Sequence, residues 1–377
     1  MQNNKNIVSI FSTTWGHESL GMAIEDALEH KFQTKLNFIK PPQLGAKSYN
    51  RLYKMFPYLI IIPFKIAEAD QINKIITKYL YKTYIKEIEE LIKNQKPKVV
   101  ISVYYALNPV LEKIAKKYSF TLINVVTDPR TIHKLTITPN AYNLIFDAKS
   151  AKYCRDLQID SKNCIQSGWF VRKEFQQNIR KKDARLSLGI NPKKFTICVI
   201  GGSEGTLDIL KILPAFFRKE KKLQVIFICG HNKKLFSFLK SFSNILDTNN
   251  TQNTEFIIKG FTKNTHKYLQ ASNLIIGKAG PNLLFESVAA QRPFFAISHI
   301  SGQEDGNLDI IKEYELGFVE EDPVKAIKLT KHIIDNPKTL NRFSKPLKKL
   351  SEYNINSYTT LQQLITNNLE IRNERDS

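Results

Sequence analysis

Short apolar runs alternate with helix-period stretches along most of this chain, and that alternation constrains its fold more than any other feature. Residues 7–11 form a β-rich run, followed by polar Ser12, Thr13 and Thr14 and a helical pattern over 20–30. Residues 98–103, with a helix over 113–117 behind them, then 121–126 and 143–146 continue the series. A second series begins after the basic segment 180–185, with runs at 195–200, 223–229, 254–259, 273–277 and 293–297, each tied to a helix. Strands buried on both faces read as continuous apolar runs, and strands separated by helices are joined by right-handed crossovers, so the pattern predicts parallel sheets. At 377 residues the chain exceeds one hydrophobic core. Two consecutive α/β domains are therefore expected, with a junction near 170–186 and a helix-prone polar tail from Lys338 onward.

Composition narrows the class. Hydrophobic residues at 42%, with only 15 Gly and 15 Pro, fit ordinary globular packing rather than disorder. The four cysteines (Cys154, Cys164, Cys198, Cys229) lack paired short spacing, and two lie inside apolar runs, which points to a reducing compartment rather than a disulfide framework or zinc site. The N-terminus has no charged region followed by a long apolar stretch, so no secretory leader is expected. The longest apolar stretch, 55–64, is about half the roughly 20 residues a transmembrane helix needs, so a soluble or peripheral protein is expected. The net charge is +21, and residues 31–117 alone carry 17 Lys and Arg against 6 Asp and Glu. Such a surplus suits an anionic partner, either lipid headgroups or nucleic acid.

The segment 274–286 reads as an apolar strand, the turn Gly277-Lys278-Ala279-Gly280-Pro281, and a helix. Gly280 lets a phosphate approach the backbone, and Pro281 suits a first helical turn, where its missing N–H costs nothing. The amides and dipole of that helix start would hold a diphosphate, and Glu286 could accept the hydroxyls of a ribose. A second glycine turn, Gly201-Gly202-Ser203-Glu204-Gly205, follows another strand. After the strand near 294–297, Gln303, Glu304 and Asn307 offer amide and carboxylate groups to a hydroxyl-rich sugar.

Taken in order, the GGSEG turn, Gly260-Phe261, KAGP with Glu286, and GQE-x-GN resemble the donor domain of monogalactosyldiacylglycerol synthases and processive diacylglycerol glucosyltransferases. These are related to the peptidoglycan GlcNAc transferase within an inverting GT-B family. The resemblance is close over about 195–318. It implies an α/β GT-B fold: two Rossmann-like α/β/α domains facing across a cleft, with a C-terminal helix crossing back to the N-terminal domain. The expected divisions are 1–175 for acceptor and membrane, 176–345 for the UDP-sugar, and 346–377 as a helical tail. By the family pattern Phe261 lies beside the uracil, Ser203 and Gly280 beside the diphosphate, Glu286 at the ribose, and Gln303 and Glu304 at the transferred sugar. Glu204, Lys278, Ala279, Pro281, Asn307 and Gly16 complete the expected substrate-binding set.

Inverting transfer needs a base for the acceptor hydroxyl and a pocket for the departing UDP. The family's glycine-rich loop ends in Gly-His, and this chain keeps Gly16-His17 while Ser12, Thr13, Thr14 and Trp15 replace the upstream glycines. The segment 126–133 resembles the family's V-T-D-x-x-x-x-H, with Asp128 and His133 kept. His17 is one candidate base; Asp128 is either the base itself or the group that orients His17. The segment 168–175 corresponds to a G-x-P-V-R-x-x-F hinge in which Phe170 stands for the proline. No D-x-D pattern or histidine cluster suggests a metal, so no cofactor is expected beside the UDP-sugar substrate. The apolar, aromatic and basic run 51–65, with Arg51, Lys54, Phe56, Tyr58 and Ile60, suits shallow insertion at a lipid interface.

The resulting expectation is a UDP-sugar-dependent hexosyltransferase acting on a lipid acceptor, diacylglycerol or its glycosylated product, peripheral on the inner face of the membrane. The alternatives are transfer of GlcNAc to a polyprenyl-linked precursor, a UDP-sugar epimerase, and, in a different class, a basic nucleic-acid binder, although no RNA or DNA module is present.

Overall fold

The computed structural model describes residues 7–14, 16–42, 69–177, 179–217, 222–248 and 253–376. Two compact units divide the chain. Unit 1 comprises 1–173, 300–306 and 353–377, and unit 2 comprises 174–299 and 307–352. Trp15 and the expected membrane residues Arg51, Lys54, Phe56, Tyr58 and Ile60 lie outside the described residues.

Unit 1 runs β1 (Ile7–Ser12), α1 (Gly16–Leu28), β2 (Gln33–Phe38), α2 (Asp70–Gln95), β3 (Val99–Ser102), α3 (Asn108–Tyr118), β4 (Thr121–Val125), β5 (Tyr142–Ile145), α4 (Ala148–Asp156) and β6 (Cys164–Gln166). Its six strands form one sheet in the order β2-β1-β3-β4-β5-β6, and every pair is parallel. One face packs Leu20, Ile24 and Leu28 of α1 against Val8, Ile10 and Ile101, and the other packs Ile88 and Ile92 of α2 and Leu111 of α3 against Phe11 and Val100. Helices on both faces account for the near-continuous apolar runs of β1, β3 and β4.

In unit 2 the order is α5 (Lys173–Gln176), α6 (Lys181–Ser187), β7 (Phe195–Ile200), a 3₁₀ segment over Leu207–Phe216, β8 (Leu223–Ile228), α7 (Lys233–Thr248), β9 (Thr254–Lys259), α8 (Thr265–Ala271), β10 (Leu274–Lys278), α9 (Pro281–Ala289), β11 (Phe294–Ser298), α10 (Asp305–Glu313), β12 (Gly317–Val319) and α11 (Pro323–Asp335). The sheet order is β12-β11-β10-β7-β8-β9, again all parallel.

The last helix, α12 (Ser344–Asp376), begins in unit 2 and ends in unit 1, where Leu361, Ile365 and Leu369 join the core beside α1. It clasps the segment expected as a hinge. Asn354 Oδ1 accepts from Trp169 N at 3.0 Å, and Tyr358 Oη donates to Val171 O at 2.8 Å. Phe170, standing where the family has proline, is buried and stacks on Tyr358 with ring centroids 6.5 Å apart. Its ring contributes packing that a proline would not. Residues 300–306, expected within the UDP-sugar domain, instead group with unit 1, because Gln303 bonds to Asp128 and Thr131 and Gly306 lies against Arg130.

Candidate active site

In a parallel sheet all strands end at one edge, and ligand crevices open where the strand order reverses. In unit 1 the reversal lies between β1 and β3, and in unit 2 between β7 and β10. Residues expected to carry chemistry follow β1, β7 and β10, and Asp128 follows β4.

At the end of β1, Ser12 Oγ donates to His17 O at 2.7 Å and steadies the first turn of α1, which opens with Gly16. His17 Nδ1 lies 2.8 Å from Val103 O, the residue after β3. A carbonyl oxygen can only accept, so Nδ1 carries the proton and Nε2 keeps its lone pair. Burial of the ring lowers its pKa below the usual imidazole value, and the Val103 hydrogen bond opposes that only in part. The imidazole is thus neutral near pH 7 and in the tautomer of a general base, with the Tyr104 ring 5.0 Å away. On the same loop, Thr13 Oγ1 is buried and has no hydrogen-bond partner among the described residues.

Asp128 follows β4 and is buried; its Oδ1 accepts from Gln303 Nε2 at 3.3 Å, and Thr131 Oγ1 donates to Gln303 O at 2.9 Å. Nδ1, the nitrogen through which a carboxylate would orient His17, is held by a backbone carbonyl instead. Burial, and secondly the Asp128 charge, raise the pKa of Tyr105. The segment is anchored from below. Arg130 and Asp147 form a buried ion pair at 2.6 Å, Asp147 caps α4 through Ser150 N, and Ser150 Oγ donates to Pro129 O at 2.5 Å. Burial pushes His133 down to about 4, with its Nδ1 accepting from Leu135 N at 3.2 Å.

A chain of buried amides runs under these loops. Ser102 Oγ donates to Asn108 Oδ1 (2.7 Å), Asn108 Nδ2 to Asn124 Oδ1 (3.0 Å), and Asn124 Nδ2 to Asn143 Oδ1 (2.8 Å) and Thr136 O (2.9 Å). Asn143 in turn receives Thr138 N and donates to Thr138 O, both at 2.9 Å. Ser102 precedes Val103, and Thr136 bonds the backbone of His133, so one relay spans the turn that holds His17 and the loop that carries Asp128.

In unit 2 the turn 201–205 leaves β7 with φ of +76° at Gly202 and +67° at Gly205. A Cβ at Gly205 would lie 2.1 Å from Cys229 O, so only glycine fits. Ser203 O accepts from His231 N at 2.8 Å, and the His231 ring stacks on Phe261 with centroids 4.3 Å apart. Phe261, expected beside a uracil, is 59% exposed. Gly277 of β10 pairs with Ile200 of β7, which sets the turn 278–281 next to the turn 201–205. A Cβ at Gly277 would come within 2.7 Å of Ile200 O.

Gly280 is the N-cap of α9 without a side-chain cap, and Pro281 follows at the first helical position. Partly buried Glu286 lies on α9, and Lys278 is partly buried at the end of β10. Ala279 is buried, and its N donates to Ser298 O at 2.8 Å. Asn307, expected at the sugar, spends its Nδ2 on Ala279 O at 2.8 Å and so fixes the turn. Glu304 is also buried, with Oε2 accepting from Ile300 N at 2.7 Å. Ser203 and Glu204 are exposed.

The structure therefore brings Ser203, Glu204, Lys278, Ala279, Gly280 and Pro281 to one edge of unit 2. It brings Gly16, His17, Asp128 and Gln303 to unit 1. Sequence reasoning does not find Val103, whose contribution is a main-chain oxygen and leaves no side-chain signal. It also passes over His231 and the amide relay, although Asn124 and Asn143 interrupt apolar runs and so mark the relay in the sequence.

Residues 17–169 match the profile of monogalactosyldiacylglycerol (MGDG) synthase, and residues 196–307 match the glycosyltransferase family 28 C-terminal domain. The chain is 24% identical over 353 residues to monogalactosyldiacylglycerol synthase 2, chloroplastic, of Arabidopsis thaliana, covering 87% of this chain and 73% of the relative. It is 25% identical over 287 residues to the processive diacylglycerol beta-glucosyltransferase of Staphylococcus aureus, covering 75% and 68%. The solved structure of Arabidopsis thaliana UGT89C1 complexed with UDP superposes with a TM-score of 0.60 at 13% identity, covering 97% of this chain and all of that one, which shows a shared fold.

Proposed function

The chain joins an N-terminal domain of the monogalactosyldiacylglycerol synthase type to a glycosyltransferase family 28 C-terminal domain, and on that footing we propose that it is an inverting glycosyltransferase moving a hexose from a UDP-sugar to diacylglycerol or a glycosyl-diacylglycerol. One observation carries the mechanism: His17 is held by Val103 O in the tautomer whose Nε2 lone pair can take a proton. In this reading Nε2 removes the acceptor hydroxyl proton as the oxygen attacks the anomeric carbon. The bond from that carbon to the diphosphate breaks on the opposite face, so the configuration inverts.

Amides of the turn 201–205 and the start of α9 meet the charge of the departing UDP, and no cofactor is assigned beside the donor. Phe261 packs on the uracil and Glu286 takes the ribose. In the same reading Gln303, which donates to Asp128 Oδ1, takes the transferred sugar. Support for UDP comes from the UDP-bound structure of the same fold, and support for the lipid from the named activities of the relatives. Among the described residues no helix is long and apolar enough to cross a membrane. We assign the protein to the inner membrane face, held there by Arg51, Lys54, Phe56, Tyr58 and Ile60.

The test is incubation with radiolabelled UDP-glucose, UDP-galactose and UDP-GlcNAc against diacylglycerol and against a polyprenyl-linked acceptor. A labelled glycosyl-diacylglycerol of inverted configuration supports the reading. Label only on the polyprenyl lipid moves the protein to the peptidoglycan branch, and isomerised donor without acceptor makes it an epimerase.

A further inference from the structure

The sheet of unit 2 runs β10-β7-β8-β9, so the turns that follow these strands stand side by side at its carboxyl edge. In the UDP-sugar reading above, the turns after β10 and β7 take the diphosphate, and Phe261, just beyond β9, takes the base. The turn after β8, Cys229-Gly230-His231-Asn232, lies between them and has no part in that reading. Neighbouring strands are about 4.8 Å apart, so this turn is one spacing from the ends of both β7 and β9.

It is fastened to the diphosphate turn through main-chain contacts. His231 N donates to Ser203 O at 2.8 Å. Asn232 Nδ2 donates to Gly205 O at 2.8 Å, while its Oδ1 accepts from Leu235 N at 2.9 Å. Gly230 has a φ of +56°, and a Cβ there would lie 2.2 Å from Ser203 O, so the two turns meet backbone to backbone. Cys229 N donates to Lys259 O at 2.8 Å and joins the same turn to the end of β9. The backbone of residue 231 is thereby fixed. Its imidazole lies against Phe261, with centroids 4.3 Å apart and planes inclined by 15°.

An exposed phenyl ring standing alone exchanges rotamers within nanoseconds or less. Phe261 has one face covered by the imidazole and is still 59% exposed, so its other face meets solvent in a set plane. A flat ring held in place is a stacking platform for a planar base, and order present beforehand is entropy that binding need not supply. We propose that His231 is a positioning residue for the donor nucleotide. It backs Phe261 so that the base completes a stack of three rings, and through Ser203 O it ties that stack to the turn that takes the diphosphate. The proposal rests on the UDP-sugar reading and adds the residue that aligns the base with the phosphates. In the opposite arrangement the imidazole fills the slot the base needs, and removing it has the reverse effect.

The test is isothermal titration of the full chain with UDP, CDP, ADP and GDP, with inorganic pyrophosphate as a competitor. H231A should weaken UDP binding by about three- to tenfold, and H231F, which restores a flat ring, should return it to within about twofold of the parent. The inhibition constant of pyrophosphate and the melting temperature without ligand should match the parent in both variants, which separates positioning of the base from damage to the turn. Parental UDP affinity in H231A overturns the proposal. So does tighter binding, which makes His231 a competitor of the base, and so does a loss of pyrophosphate affinity that keeps pace with the loss of UDP affinity. If the parent binds another nucleoside diphosphate in place of UDP and H231A weakens that one, the UDP reading fails and the positioning role stands. If the parent binds none of the four, both fail.

Discussion

Everything asked of His17 turns on which of its nitrogens carries the proton. Val103 O takes the Nδ1 proton, and burial keeps the ring neutral. The acid limb of the pH profile of kcat/KM is therefore expected to fall below the ordinary imidazole value of 6.5, with full activity retained at neutral pH. H17N should remove that limb and lower kcat by about 10²–10⁴-fold while UDP still stabilises the protein. Retention of kcat within a few-fold would transfer the base to Asp128. His133 makes a separate pH prediction. Its folded pKa of about 4 lies below the unfolded 6.5, so the unfolded chain binds the extra proton as pH falls, and stability present above pH 6.5 is lost toward pH 4. By pH 5 the loss is about 2 kcal/mol, and H133N should flatten that part of a denaturant-midpoint series. At this scale the sequence is partly legible. His17 and Asp128 stand out because an imidazole and a carboxylate are the side chains proposed to move the proton, whereas Val103 is one more valine in a buried run.

Among the elements, the strands the sequence reveals are the ones buried on both faces. β1, β3, β7 and β10 are continuous apolar runs, and the sequence finds each to within a residue or so. It misses β2, β6 and β12, which are edge strands: the burial of β2 alternates between exposed and intermediate, and the other two have three residues each. Half-exposed strands need no apolar run, so the sequence carries little trace of them. The amide relay is the converse, a polar thread inside the best-defined strands. N124L removes its centre and leaves Asn108, Asn143 and Thr136 O short of partners, at a cost of about 1–3 kcal/mol. Because the relay also sets the His17 and Asp128 loops, N124L should lower kcat while KM for the donor stays near the parental value. A purely structural role would reduce the melting temperature alone.

For the molecule as a whole, the two-unit α/β plan is legible because each strand–helix repeat announces its successor, but the division of the chain is not a single cut. Residues 300–306 and 353–377 return to unit 1. Only contacts such as Thr131 with Gln303, or Trp169 with Asn354, reveal the returns, since they join positions more than 170 residues apart. Deleting 353–377 strips Leu361, Ile365 and Leu369 from the core of unit 1. At about 1.5–3 kcal/mol for each buried side chain, the loss is of the same order as the stability of an ordinary domain. The truncated chain should melt far below the parent and bind a hydrophobic dye at temperatures where the full chain does not.

The same helix sets a timetable for synthesis. Residues 353–377 are made after unit 2, yet they complete the core of unit 1 beside α1. Unit 1 is thus finished only after unit 2 has been made, and until then the nascent chain lacks Leu361, Ile365 and Leu369 and leaves their place in that core open to chaperones and proteases.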